Sequence, residues 1–134
     1  MRETPVARMR SPLGRAIGLG SAKEGVDHWW AQRITAVALV PLSLWFVASV
    51  ISLVGADIES VQNWVGLPLP AILLVLLLIA MFYHVSLGLQ VVIEDYVHTE
   101  LAKIGLIIAV RLLSFGFAVA GIFAVLSIAL GSTS

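Results

Sequence analysis

The sequence predicts an all-α membrane protein with three transmembrane helices. Of its 134 residues, 60% are hydrophobic and 12% are charged, and the mean hydropathy is +1.02. A typical soluble domain carries about twice that share of charged residues. The apolar residues form three long stretches, each sufficient to cross about 30 Å of hydrocarbon as a helix. Zero formal net charge and the absence of cysteine leave no basic footprint for nucleic acid, no disulfide and no thiolate metal site.

An N-terminal segment, residues 1–30, precedes the first span and is predicted to be cytoplasmic. Glycines interrupt any helical period up to residue 25, so we expect residues 1–25 to be loosely structured. A signal peptide is not expected, because the leader before the uncharged run is too long for one. The first span, about residues 31–56, is uncharged from residue 34 onward, and Pro41 is predicted to kink its helix.

Two polar links separate the remaining spans. The first link contains Asp57 and Glu59 and leads to a second span at about residues 69–94. The second link, residues 94–103, leads to a third span at about residues 104–130. The chain is therefore expected to cross the membrane three times.

The distribution of basic residues predicts the orientation of the three spans. Six of the eight lie within residues 1–33, none lies between spans one and two, and Lys103 lies between spans two and three. The positive-inside rule then places the N-terminus and the second link in the cytoplasm and the C-terminus outside. His28, Arg33, Asp95 and Tyr96 are consequently expected on the cytoplasmic side.

A single histidine, His84, lies within the uncharged residues 60–93. On a helix it shares one face with Gly88, Val91 and Asp95. A titratable ring in an apolar span needs a partner, because an unpaired polar group in hydrocarbon costs several kcal/mol. The absence of a side chain at Gly88 leaves room for a large flat ligand, and haem fits that description. The alternative is a core histidine bonded to a serine or a carbonyl of a neighbouring helix.

The residues that follow His84 carry a resemblance to a known family. The pattern His-x3-Gly-x-Gln-Val-x3-Asp-Tyr-Val resembles the small hydrophobic membrane anchor of bacterial succinate dehydrogenase (complex II), and is formed by His84, Gly88, Gln90, Val91, Asp95, Tyr96 and Val97. The segment Arg33-Ile34-Thr35-Ala36 is similar to an Arg-x-Thr-Ala segment of that family. The resemblance covers about residues 27–130.

The resemblance implies roles for the residues at the cytoplasmic side. It makes His84 an axial ligand to the iron of a haem b, with the second histidine supplied by a separate cytochrome b subunit. It makes Tyr96 a hydrogen-bond donor to ubiquinone and gives Asp95 an orienting role beside it. Ordinary helix termination at a membrane boundary is the alternative for both residues.

Contacts with the haem propionates are a further expectation. Arg33 is the first candidate, although the positive-inside rule alone would also explain an arginine there. His28 is the second, at a spacing from Arg33 one residue shorter than is usual in the family. Arg111 is predicted to reach back to the lipid headgroups, the alternatives being a partner subunit or a propionate. His98 is predicted to be solvated.

The sequence therefore predicts a membrane anchor of succinate dehydrogenase that docks the flavoprotein and iron–sulfur subunits and is not an enzyme alone. It lacks cysteines for a cluster. The bacterial cytoplasmic membrane is expected, rather than the mitochondrial inner membrane. A fumarate reductase anchor is the nearest alternative. A cofactor-free structural or transport subunit is a more distant one, because no acidic residue lies between Asp57–Glu59 and Glu94 to relay protons or ions.

Overall fold

The computed structural model describes residues 21–131, and it describes side chains from residue 25 onward. This part of the chain contains four helices and no strand. They are α1 (Ser21–Ser52), α2 (Ile58–Gly66), α3 (Pro68–Tyr96) and α4 (Glu100–Gly131). The predicted all-α class is confirmed. Helices α1, α3 and α4 are long and apolar enough to cross a membrane, which agrees with three predicted spans. The orientation of the spans stays a prediction.

Helix α1 is longer at its start than the predicted span. It begins at Ser21 and passes through Gly25, so the expectation of loose structure is wrong for residues 21–25, while residues 1–20 lie outside the described part. Pro41 lies inside the helix without ending it. The helix ends at Ser52, and the following turn contains Gly55 with φ +82°, a conformation that glycine adopts without strain.

Helix α2 occupies the link that was predicted only as a polar connection. Asp57 is its N-cap, because one carboxylate oxygen accepts a hydrogen bond from the Ser60 backbone N–H at 2.9 Å. Hydrogen bonds from the Ser60 hydroxyl and backbone N–H lower the pKa of Asp57. The ring of Trp64 stacks on Trp45 of α1 with centroids 5.8 Å apart, which ties α2 to the first long helix.

Helices α3 and α4 pack as an antiparallel pair joined by residues 97–99. Phe82 of α3 stacks on Phe117 of α4 at a centroid distance of 6.2 Å. One turn earlier on α3, Leu78 faces Gly121, where an added Cβ would lie 3.1 Å from two leucine methyl carbons. Glycine at this position therefore lets the two helices approach closely, as small residues do in membrane bundles.

The outer surfaces of these helices are apolar. Among the described residues the buried hydrophobic side chains are Val65, Leu77, Leu87 and Ile93. Many large hydrophobic side chains are exposed on all three long helices. Exposed apolar area on this scale indicates lipid or protein partners around the chain.

Candidate functional site

A hydrogen bond between α1 and α3 defines the candidate site. Thr35 Oγ1 of α1 lies 2.9 Å from His84 Nδ1 of α3. Thr35 is 9% exposed and the imidazole is half-buried, so water competes little for this bond. A second contact gives the relative direction of α1 and α3. Gln32 precedes Thr35 on α1, and it lies against Gly88, which follows His84 on α3. The two helices are antiparallel here.

The hydrogen bonds of Thr35 bear on the tautomer of His84. The Thr35 hydroxyl donates to the Gln32 carbonyl oxygen at 3.0 Å. With its hydrogen given to Gln32, Oγ1 acts toward the imidazole as an acceptor, which favours the tautomer with the proton on Nδ1. In the neutral ring Nε2 is left with a lone pair. Within the described part of the chain, Nε2 of His84 makes no hydrogen bond.

This arrangement bears on both interpretations of His84. The core-histidine alternative expected a hydrogen bond from the ring to a serine or a carbonyl of a neighbouring helix. The structure has such a bond, but its partner is the hydroxyl of Thr35. The bond engages Nδ1 alone, and an imidazole held at one nitrogen by an oxygen acceptor is the usual form of a metal-bound histidine. No group of three or more potential metal ligands occurs among the described residues. The residues present fit the predicted haem, to whose iron this chain would supply one nitrogen, that of His84.

The space beside Gly88 is partly occupied by this chain itself. A Cβ added at Gly88 would lie 3.7 Å from Nε2 of Gln32, which is an ordinary van der Waals distance. The described residues would therefore accommodate an alanine Cβ at position 88 without a steric clash. The predicted accommodation of a flat ligand there stays a prediction.

Asp95 and Tyr96 lie at the C-terminal end of α3. Tyr96 is the last residue of the helix and is 78% exposed. It is separated from His84 by twelve residues, or about 18 Å along the helix axis. Neither side chain forms a hydrogen bond within the described part of the chain. The structure thus presents both polar groups outward and does not bring them beside His84.

The two residues predicted to contact propionates lie on α1. Arg33 is exposed and precedes Thr35 by two residues, a rise of about 3 Å. Nε2 of His28 is buried and has no hydrogen-bond partner. A buried polar nitrogen without a partner is unusual, because its desolvation is not compensated. His98 lies beyond the end of α3 and is exposed, as expected.

A polar network between α3 and α4 was not foreseen from the sequence. Nη2 of Arg111 donates to Oε1 of Gln90 at 2.8 Å, and Nε2 of Gln90 donates to Oε1 of Glu94 at 2.9 Å. The amide is oriented consistently, since the guanidinium only donates and the carboxylate only accepts. The spacing of Gln90 and Glu94, one helical turn apart, was the available signal. Arg111 therefore has a partner inside the chain, and its predicted contact with headgroups would use its remaining N–H groups.

Thr35 and Gln32 are the site residues that sequence reasoning missed. Thr35 belongs to the Arg-x-Thr-Ala segment, but no role was attached to it. The available signal was a hydroxyl in the uncharged run from residue 34 onward, and it was not distinctive, because Ser43, Ser49 and Ser52 lie in the same run. Its partner is 49 residues away along the chain, so the packing of α1 on α3 was needed to find it.

Comparison with known proteins gives a consistent family assignment. The family described as "Succinate dehydrogenase/Fumarate reductase transmembrane subunit" matches residues 7–128. The chain is 40% identical to the succinate dehydrogenase hydrophobic membrane anchor subunit of Rickettsia bellii, over 87% of this chain and 93% of that protein. Identity to the subunit of the same name from Paracoccus denitrificans is 35%, over 93% of this chain and 96% of the relative.

A more distant relative is the succinate dehydrogenase membrane anchor subunit of Reclinomonas americana. It is 30% identical over 69% of this chain and 79% of the relative. No solved structure matches the chain.

Proposed function

Because the chain belongs to the family of succinate dehydrogenase/fumarate reductase transmembrane subunits, we propose that it is the hydrophobic membrane anchor of a bacterial succinate dehydrogenase. It holds the flavoprotein and iron–sulfur subunits at the cytoplasmic membrane, and together with a cytochrome b subunit it binds haem b and ubiquinone. The relatives described above are named for succinate dehydrogenase, which favours this direction over fumarate reduction.

The observation that carries the cofactor part of this proposal is the hydrogen-bonding state of His84. Its Nδ1 is held by Thr35, and its Nε2 has a lone pair and no hydrogen-bond partner among the described residues. His84 would accordingly be the residue of this chain that holds the iron of haem b, and the cytochrome b subunit would supply the second histidine. When bound, the haem provides a centre that takes up and releases one electron.

Arg33 and His28 are proposed to hold the haem propionates. A guanidinium binds a carboxylate through two parallel hydrogen bonds, and the exposed position of Arg33 leaves it accessible to a ligand. The buried and unpaired Nε2 of His28 is a group that gains a hydrogen bond when a carboxylate arrives. The two roles are proposed separately, that of Arg33 from its exposure and that of His28 from its buried Nε2.

Tyr96 and Asp95 are proposed to form this chain's part of the ubiquinone site. The exposed phenol donates a hydrogen bond to a quinone carbonyl oxygen and orients the head group for reduction. The carboxylate of Asp95 orients polar groups around the quinone. Both side chains are free to do so, since neither is engaged by a hydrogen bond within the described part of the chain.

Purification of the native complex through an affinity tag on this chain tests the proposed function. We expect a flavoprotein, an iron–sulfur protein and a cytochrome b subunit to be purified with it, and the visible spectrum of the detergent-solubilised complex to show a sharp Soret band and α-band of haem b. A complex with a featureless visible spectrum would instead support a cofactor-free structural or transport subunit. A complex that oxidises a quinol with fumarate far faster than it reduces quinone with succinate would support the fumarate reductase alternative.

The orientation of the spans is tested separately by topology reporters. The basic residues place the N-terminus and the α3–α4 link in the cytoplasm, so we expect a reporter fused after Ser134 to be active only if it works outside the cytoplasm. A reporter inserted in the link at residues 97–99 should show the opposite behaviour. A cytoplasmic C-terminus would reverse the orientation and remove Tyr96 from the side proposed for the soluble subunits.

A further inference from the structure

We propose that Thr35 is a positioning residue for the haem ligand and that its hydroxyl sets both the tautomer of His84 and the electron-donating strength of Nε2. This inference rests on the proposed role of His84 in binding haem. It concerns a residue on a different helix, α1, which does not itself contact the iron. The observation that carries it is the chain of two hydrogen bonds from Nδ1 of His84 to Thr35 Oγ1 and from Thr35 Oγ1 to the Gln32 carbonyl oxygen.

The direction of these two bonds is what gives Thr35 its effect. With its hydrogen donated to Gln32, the hydroxyl oxygen acts as an acceptor toward His84, and it favours the tautomer with the proton on Nδ1 over the one with the proton on Nε2. A ring with the proton on Nε2 would have no lone pair to direct at a metal. Thr35 therefore selects, before any cofactor arrives, the form of His84 that ligates iron.

The same contact influences the electronic properties of the ligand. Donation of the Nδ1 proton toward an oxygen increases electron density on the ring, which makes Nε2 a stronger donor and favours the ferric over the ferrous state. Low exposure of Thr35 keeps water from substituting for the hydroxyl if it is removed. Loss of the hydroxyl should therefore raise the midpoint potential of the haem.

The contact also fixes the ring in space. Thr35 is β-branched, so its χ1 angle is restricted on a helix, and the back-bond to Gln32 selects one rotamer. Gln32 in turn lies against Gly88, one turn beyond His84 on α3. The imidazole is thus held from the neighbouring helix, and the ring plane is set by the packing of α1 on α3.

The test compares Thr35→Val with Thr35→Ser in the assembled complex. Valine keeps the shape and the β-branch and removes the hydroxyl, whereas serine keeps the hydroxyl and removes the methyl group. The readouts are the redox titration of the haem α-band and the low-spin electron paramagnetic resonance spectrum, with the amount of assembled complex as control. For Thr35→Val we expect about a tenfold change in the relative affinity for ferric and ferrous haem, which corresponds to an upward shift of about 59 mV. Thr35→Ser should remain near the wild-type potential.

Two outcomes of this comparison overturn the proposal. An unshifted potential in Thr35→Val means that the hydroxyl has no influence on the ligand. Equal shifts in Thr35→Val and Thr35→Ser mean that packing, and not the hydroxyl, is responsible. If the valine variant does not assemble, Thr35→Ala and Thr35→Ser give the same comparison, because they differ only by the hydroxyl; equal potentials then reject the proposal.

Failure of this inference is distinguishable from failure of the proposed function. A changed haem spectrum in His84→Ala together with an unchanged potential in Thr35→Val rejects only the role of Thr35. An unchanged spectrum in His84→Ala rejects haem ligation by His84, and the role of Thr35 with it.

Discussion

Replacement of His84 by alanine is expected to abolish the bis-histidine haem signal of the assembled complex. The substitution removes the imidazole of α3, so on the proposed function the iron would keep only the histidine of the cytochrome b subunit. Two strong nitrogen ligands keep haem iron low-spin, and the loss of one should shift the visible and electron paramagnetic resonance spectra toward high spin. Haem itself can be retained through the second histidine and the propionate contacts. Spectra of isolated membranes are therefore the measurement, and quinone reduction is a poorer one.

His98→Ala is the matched control for this experiment. His98 is exposed, lies after the end of α3 and has no proposed role, so its removal should leave the haem spectrum unchanged. His84→Ala also leaves the Thr35 hydroxyl without its partner on α3, which can lower the amount of complex that assembles. The variants are therefore compared at equal amounts of assembled complex. An unchanged bis-histidine signal in His84→Ala would show that the residue is only a packed core histidine.

Replacement of Tyr96 by phenylalanine is expected to lower quinone reduction while the complex stays assembled with its haem. The change removes one hydroxyl from an exposed helix end and leaves no cavity. Loss of one hydrogen bond to a quinone carbonyl is expected to cost at least about 1 kcal/mol, or roughly a fivefold loss in kcat/KM for quinone. Succinate oxidation with a soluble artificial acceptor should be unaffected, because that route bypasses the quinone.

Tyr83→Phe supplies the matched control for Tyr96. Tyr83 is the only other tyrosine of the chain, is also exposed, and lies within α3 next to His84. Its variant should reduce quinone at the wild-type rate. Full quinone turnover in Tyr96→Phe would remove this residue from the site, and equal losses in both variants would point to a general effect of hydroxyl removal on α3.

The three long helices were predictable because each needs only local information. A run of apolar residues long enough to span hydrocarbon specifies its own helix, since every backbone group must be satisfied within it. The ends of α1 were less predictable. Ser21 offered a capping signal with Glu24 three residues later, but Gly25 favoured an interruption, so the start of the helix was placed too late. Helix α2 was missed although Asp57, three residues before Ser60, offered a capping signal.

The candidate site was predictable only in part. His84, Asp95 and Tyr96 were selected by the resemblance of one helical segment to the family, and their roles stay predictions. The contact of Thr35 with His84 and that of Gln90 with Arg111 join different helices, and both depend on which faces pack together. Hydropathy patterns carry little information about such faces, because these helices are apolar on nearly every side. The contacts of Thr35 and Gln90 therefore became visible only in the folded chain.

The unpaired Nε2 of His84 has a consequence for copies of the chain that are not assembled into a complex. A copy made in excess of its partners keeps this polar nitrogen within a bilayer that offers it little compensation. On the proposed function, binding of haem would remove this cost. Orphan copies should consequently be short-lived, and membrane proteolysis would then keep the anchor in step with the supply of haem and of the other subunits.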